Sequence, residues 1–191
     1  MKLRFVSRNP YKLAEAATIL DPLGIEVVPL KETIEELQTI DASRLVRDKA
    51  LRAFTKIGRK LFVEHTGLRL RTLNGLPGGL TQVFWDALRA ERMSELFGSD
   101  EEGTVEAVTD LCYIDGRQFH EFRGVISGRI SKQPRGPQDF QWDCVFIPDT
   151  RTETFAEMGP AEKNKISMRR KALDTFAEFL RQTEGGLHDN A

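Results

Sequence analysis

Apolar residues along the chain alternate between a strand-like and a helix-like period, and each change of period marks an element. Residues 3–6 are a short apolar run, and the polar Ser7-Arg8-Asn9 leads into Pro10, a residue favoured in the first turn of a helix. This predicts strand, tight loop and helix, with Asn9 as the N-cap and Leu13, Ala16, Ala17 and Leu20 on one helical face that ends near 22–24. A second strand is predicted at 25–29. Asp41 then caps a helix carrying Leu45, Val46, Ala50, Ala53, Phe54 and Ile57, closed by Gly58. Strands are expected at 60–64 and 68–73, divided by a polar turn at His65-Thr66-Gly67, with a turn-rich NGLPGG loop at 74–79 and a helix at 81–97. Residues 104–114 alternate as a long strand, Asp115-Gly116 has hairpin chemistry, and 119–130 reads as the returning strand. A loop rich in Pro, Gly and Gln at 131–143 precedes a short apolar run at 145–147. From Pro160 onward, Ile166, Leu173, Phe176, Ala177 and Leu180 line one face of a single final helix that stops before Gly185-Gly186. The pattern describes one α/β domain over 1–183 and a flexible tail at 184–191.

Composition narrows what such a domain does. The 191 residues are enough for one core without covalent staples. Lys plus Arg number 28 against 29 Asp plus Glu, a formal charge of −1, so nothing argues for a nucleic-acid or membrane partner, and any polyanion must meet a local cluster of cations. Cys112 and Cys144 lack metal-ligand spacing and are expected to be reduced core residues, which fits a cytoplasmic address. The N-terminal apolar stretch is too short, and interrupted by Arg4, to be a signal peptide or a membrane span.

No GxxxxGK[ST] loop, GxGxxG fingerprint or HExxH helix is present. Polar residues instead gather at predicted strand ends, where open α/β sheets hold ligands. Ser7, Asn9 and Lys12 suit a phosphate at a helix start, or simply form a cap with a solvated lysine. Glu64, His65 and Thr66 suit a metal or an activated water, or a plain polar turn. Phe140-Gln141-Trp142-Asp143 suits stacking on and hydrogen bonding to a base, or anchorage of the loop to the core. Glu162-Lys163-Asn164-Lys165, followed by Arg169, Arg170 and Lys171, suits an anion site or a solvated helix face.

In their order and spacing these places resemble the inosine triphosphate pyrophosphatase family. The likeness is strongest in RGPQDFQWDCVFIPDTRTETFAEMGPAEKNKISMRRKAL from Arg135, supported by FVEHTGLRLRTLNGLPGG from Phe62 and SRNPYKLAEAATIL from Ser7. The resemblance implies an elongated mixed twisted sheet flanked by helices, two lobes around a nucleotide cleft, and a homodimer. It implies metal-dependent hydrolysis of a nucleoside triphosphate, such as that of inosine or xanthosine, to the monophosphate and pyrophosphate, with Mg²⁺ or alternatively Mn²⁺. By position, Ser7, Asn9, Lys12 and Lys49 fall at the phosphates, and Glu36 and Glu64 at the metal. Phe140, Gln141, Trp142 and Asp143 fall at the base, with Lys163, Met168 and Arg169 from the final helix, while Arg8 and Thr66 complete the substrate-facing set. Catalysis falls to Glu64, His65 and Lys12.

Four positions depart from the family pattern: His65 replaces an acid, Met168 a histidine that reads the purine, Gln141 a glycine in the base motif, and Arg8 a glycine in the phosphate turn. They leave open two alternatives on the same scaffold, a non-catalytic nucleotide binder and a phosphatase of other phosphorylated small molecules.

Overall fold

The structure is a computed structural model that describes residues 1–100 and 103–184. Most of the expected tail therefore lies outside the described residues. Strand β1 (Lys2–Val6) is followed by helix α1 (Pro10–Leu20), whose Asn9 cap accepts from the backbone N–H groups of Tyr11 and Lys12. Strand β2 (Glu26–Leu30) leads, through an irregular segment, to α2 (Ala42–Ile57), capped by Asp41 at one end and by Gly58 in the left-handed conformation at the other. Then come β3 (Leu61–Leu70), α3 (Thr81–Phe97), β4 (Val105–Ile114), β5 (Phe119–Ile130), β6 (Phe146–Pro148), α4 (Phe155–Ile166) and α5 (Met168–Glu184).

The six strands form one sheet in the order β2-β1-β3-β4-β5-β6. Its β2-β1-β3 part is parallel and the rest antiparallel, as expected for a mixed sheet. Side chains alternate between its faces. Phe62 joins a core with α1 and α5, where it stacks on Phe5 at 4.3 Å and packs on Phe176, while Leu61 and Val63 join Leu45, Val46 and Ala50 of α2 on the other face. A further apolar cluster at the far end of the sheet gathers Leu68, Leu70, Val105 and Ala107 with Trp85 of α3, Phe146 and Phe155. Strands β3, β4 and β5 contribute residues to all three of these clusters. Each fully buried large apolar side chain contributes roughly 1.5–3 kcal/mol.

Two expectations are corrected. His65-Thr66-Gly67 is no turn: it lies inside β3 in register with Asp110, Thr109 and Val108 of β4. Extended pairing wins because β4 runs alongside this stretch and supplies its hydrogen-bonding partners, and Thr66 and Thr109 join hydroxyls at 2.8 Å. The single final helix is two, because Ser167 adopts an extended conformation (ψ 157°) that breaks the run and lets α5 start afresh over β5. There the first turn of α5 lies directly on Gly124, where an added Cβ would meet the Met168 carbonyl oxygen. Both cysteines are buried and free, and burial pushes the Cys112 thiol up to about 12.

Candidate functional site

Chain order places the cleft. From β1 the chain passes through α1 to β2 on one side of β1, then through α2 to β3 on the other side. The carboxyl ends of β1 and β3 therefore flank a topological switch point, the usual ligand crevice of open α/β sheets. A cavity of about 370 Å³ lies there, lined by Ser7, Arg8, Asn9 and Lys12 after β1, Glu36 and Lys49 beside α2, and His65, Thr66 and Gln141. The sequence thus identified residues from five separate segments that the fold gathers around one cleft.

Within it, Asn9 N–H donates to Ser7 Oγ at 3.3 Å, and Arg8 Nη1 donates to Thr33 Oγ1 at 3.1 Å. Lys49 Nζ contacts a Glu36 oxygen at 2.6 Å and the Glu64 carbonyl at 3.2 Å. Burial alone would raise the Glu36 carboxyl, but Lys49 outweighs it and lowers it. Burial, followed by the Lys12 charge, pushes the His65 imidazole down to about 4, so it is neutral at pH 7. Its Nε2 is buried without a hydrogen-bond partner in the protein. A neutral imidazole nitrogen without a partner is chemically able to accept a proton.

Behind the cleft lies a buried network of three cations and three carboxylates. Arg169, fully buried, donates from Nε and Nη2 to Glu64 at 2.7 and 3.0 Å, and from Nη1 to Glu15. Lys12 reaches Glu64 at 3.0 Å, and Lys163 reaches Glu15 at 2.8 Å and Asp143 at 2.6 Å. Burial pushes the Glu64 carboxyl up, but Arg169 and then Lys12 outweigh it and hold it well below the usual carboxylate range. Burial lowers Lys12 against the pull of Glu64 and raises Asp143 against that of Lys163. Glu64 thus stands behind Lys12 rather than in the cleft lining, and its carboxylate orients that ammonium.

Lys163 and Asp143 also wall a second hollow of about 250 Å³, with Tyr11, Glu15, Phe140 and Phe155. Phe140 forms its aromatic side, with Lys163 Nζ 4.3 Å from the ring centroid. Gln141 sits between the two hollows with φ 45°, a left-handed value that favours glycine, and its amide hydrogen-bonds Gln82 of α3. Two expected base-side residues turn elsewhere. Trp142 packs edge-on against Phe146 in the core, and Met168 is 1% exposed within the same apolar cluster, so neither lines the hollow. The sequence reading missed Glu15, Tyr11 and Gln82. Glu15 carried a weak signal, a carboxylate four residues before the buried Ile19 on the same side of α1.

Among the described residues no group of three or more His, Cys, Asp or Glu side chains is placed to hold a metal. Glu36 and His65 nevertheless share the cleft with three cations, a setting that suits a metal ligated largely by a bound polyphosphate rather than by a protein cage.

Comparison with known proteins bears on this geometry. The model of the Ham1 family matches residues 3–179. The dITP/XTP pyrophosphatase of Methanopyrus kandleri is 35% identical over 97% of this chain and its own full length. The inosine triphosphate pyrophosphatase of Saccharomyces cerevisiae is 35% identical over 94% of this chain and 96% of its own. Among solved structures, a HAM1 protein from Coxiella burnetii superposes with a TM-score of 0.79 at 25% identity, covering 96% of this chain and all of its own. With the family's model spanning nearly the whole described chain and relatives matching end to end, the protein belongs to the Ham1 family.

Proposed function

We propose that this protein hydrolyses non-canonical purine nucleoside triphosphates, of the inosine and xanthosine kind, to the monophosphate and pyrophosphate. The observation that carries the reading is the cation-lined cleft at the switch point, with a polar-walled aromatic hollow beside it. That pair matches a polyphosphate joined to a flat heterocycle, and the relatives named for dITP, XTP and inosine triphosphate match nearly the whole chain.

In this reading Lys12, Lys49 and Arg8 meet the phosphates, with Ser7, Asn9 and Thr66 as hydrogen-bonding neighbours. Glu36, which lines the cleft, would hold Mg²⁺, whereas Glu64, expected at the metal from the sequence, is taken up by Arg169 and Lys12 behind the cleft. The ion would supply neutralisation of phosphate charge, and Mn²⁺ would tolerate the His65 nitrogen nearby better than Mg²⁺ does. A water oxygen forms a bond to the α-phosphorus while the bond from that phosphorus to the bridging oxygen breaks. His65 Nε2 takes the water's proton, and pyrophosphate leaves with the bridging oxygen. A polyanion laid against Lys12 offsets the ammonium that depresses His65, raising its basicity when the substrate is in place. Glu64 and Arg169 hold Lys12 in position, and Asp143 and Lys163 face the base. The reading carries with it a homodimer and a cytoplasmic address, and no helix among the described residues is long and apolar enough to cross a membrane.

The test is incubation of the purified protein with a panel of nucleoside triphosphates and Mg²⁺ or Mn²⁺, resolving all phosphate-containing products. Monophosphate with pyrophosphate is expected. Orthophosphate with diphosphate would make it a phosphatase, and tight binding with no turnover would make it a nucleotide sensor.

A further inference from the structure

Tyr11 is one of the few large apolar side chains left substantially exposed, at 45%, yet its ring is not loose. It stacks on Phe140 with centroids 5.0 Å apart and planes 23° apart. The Asn9 side chain accepts from the Tyr11 N–H and so fixes its backbone at the first turn of α1. Both rings form the mouth of the 250 Å³ hollow, whose inner wall is the buried polar set Glu15, Asp143 and Lys163.

An aromatic mouth over a polar floor is complementary to a flat heterocycle that carries hydrogen-bonding groups on its edge. We propose that Tyr11 is a specificity residue: its ring swings off Phe140 to admit the base, then closes on the opposite face, so that the base lies between the two rings. This rests on the reading of the protein as a nucleoside-triphosphate hydrolase. Insertion requires the centroids to separate to about 7 Å, the outer limit of aromatic contact. The exposed tyrosine is free to make that movement, whereas Phe140 is held by Lys163 at its ring. One ring–ring contact is exchanged for two ring–base contacts, and the gain grows with the area of the base. Tyr11 therefore favours a bicyclic purine over a monocyclic pyrimidine.

The test compares wild type, Tyr11→Ala and Tyr11→Phe in steady-state hydrolysis of inosine, guanosine and cytidine triphosphates. The alanine variant is expected to raise KM for the purines about tenfold, to change KM for the pyrimidine about threefold or less, and to leave kcat within twofold. The phenylalanine variant should restore wild-type KM, since stacking and not the hydroxyl does the work. Unchanged or tighter purine binding in the alanine variant overturns the clamp, the latter showing that Tyr11 blocks the hollow. An equal KM rise for purine and pyrimidine overturns the specificity role. Absence of hydrolysis by the wild type itself overturns the parent reading, and binding by the same three proteins then decides the clamp alone by the same tenfold criterion.

Discussion

Replacing Arg169 with methionine should cost the protein much of its stability and make what remains sensitive to acid in an inverted way. The Arg169 side chain is fully buried and holds Glu64 through two hydrogen bonds and Glu15 through another. In the wild type, Lys12, Lys163 and Arg169 balance Glu15, Glu64 and Asp143. Methionine keeps much of the volume and leaves two cations facing three carboxylates. Breaking a buried pair by removing one partner costs roughly 3–5 kcal/mol, and the remaining lysines bring the expectation to about 3 kcal/mol. For a chain of this size that lowers the melting temperature by roughly 6–12 °C. Glu64 is held far below the ordinary carboxylate range, so its contribution is present above the unfolded value and is lost as pH falls through the folded one. Without Arg169 the Glu64 carboxyl takes up a proton at a higher pH, which relieves the uncompensated charge. The gap between wild type and variant should accordingly be widest near pH 7.5 and narrow by pH 4.5, as read from urea melts followed by circular dichroism. A melting temperature lowered by less than about 3 °C, or a gap of equal size at both pH values, would refute the network as drawn.

Other measurements probe separate parts of the structure. With the His65 imidazole at about 4, kcat/KM should fall on the acid side near pH 4 and show no limb near the ordinary histidine value of about 6.5; a limb at 6.5 would mean that the imidazole is solvated. His65→Asp supplies an anionic oxygen in its place and should shift metal preference towards Mg²⁺ over Mn²⁺, which titrating each ion against turnover will show. Partial burial opposes ionisation of Asp115, but its hydrogen bond from His120 prevails and holds the carboxyl at about 2. Stability from this pair should therefore be complete above about pH 4 and lost between there and pH 2, and Asp115→Asn should flatten that part of the acid-unfolding curve. Gly124→Ala puts a Cβ 1.9 Å from the Met168 carbonyl oxygen and must displace the first turn of α5, at a cost of about 1–3 kcal/mol in denaturant unfolding; an unaltered midpoint would show that α5 is not seated on β5.

The sequence by itself determined what depends on neighbours in the chain. The Asn9 and Asp41 caps, the Gly58 stop, the hairpin at Asp115-Gly116 and the apolar faces of α2 and β4 follow from side-chain chemistry acting over a few residues, and they stand as read. The ordered motifs also marked the segments that meet at the cleft, because phosphate and base chemistry restrict the residue types at each strand end. Tertiary structure alone decided what depends on distant partners. His65-Thr66-Gly67 has the composition of a turn, yet strand pairing with β4 extends it. Ser167 divides an apparently continuous helical pattern so that α5 can settle on Gly124. Charged residues that look solvated in sequence, Glu15, Lys163 and Arg169, are buried because each finds a partner as far as 154 residues away. Hydrophobic periodicity records which face of an element is covered. It does not record which opposite charge waits there, and burying a charge depends entirely on that partner.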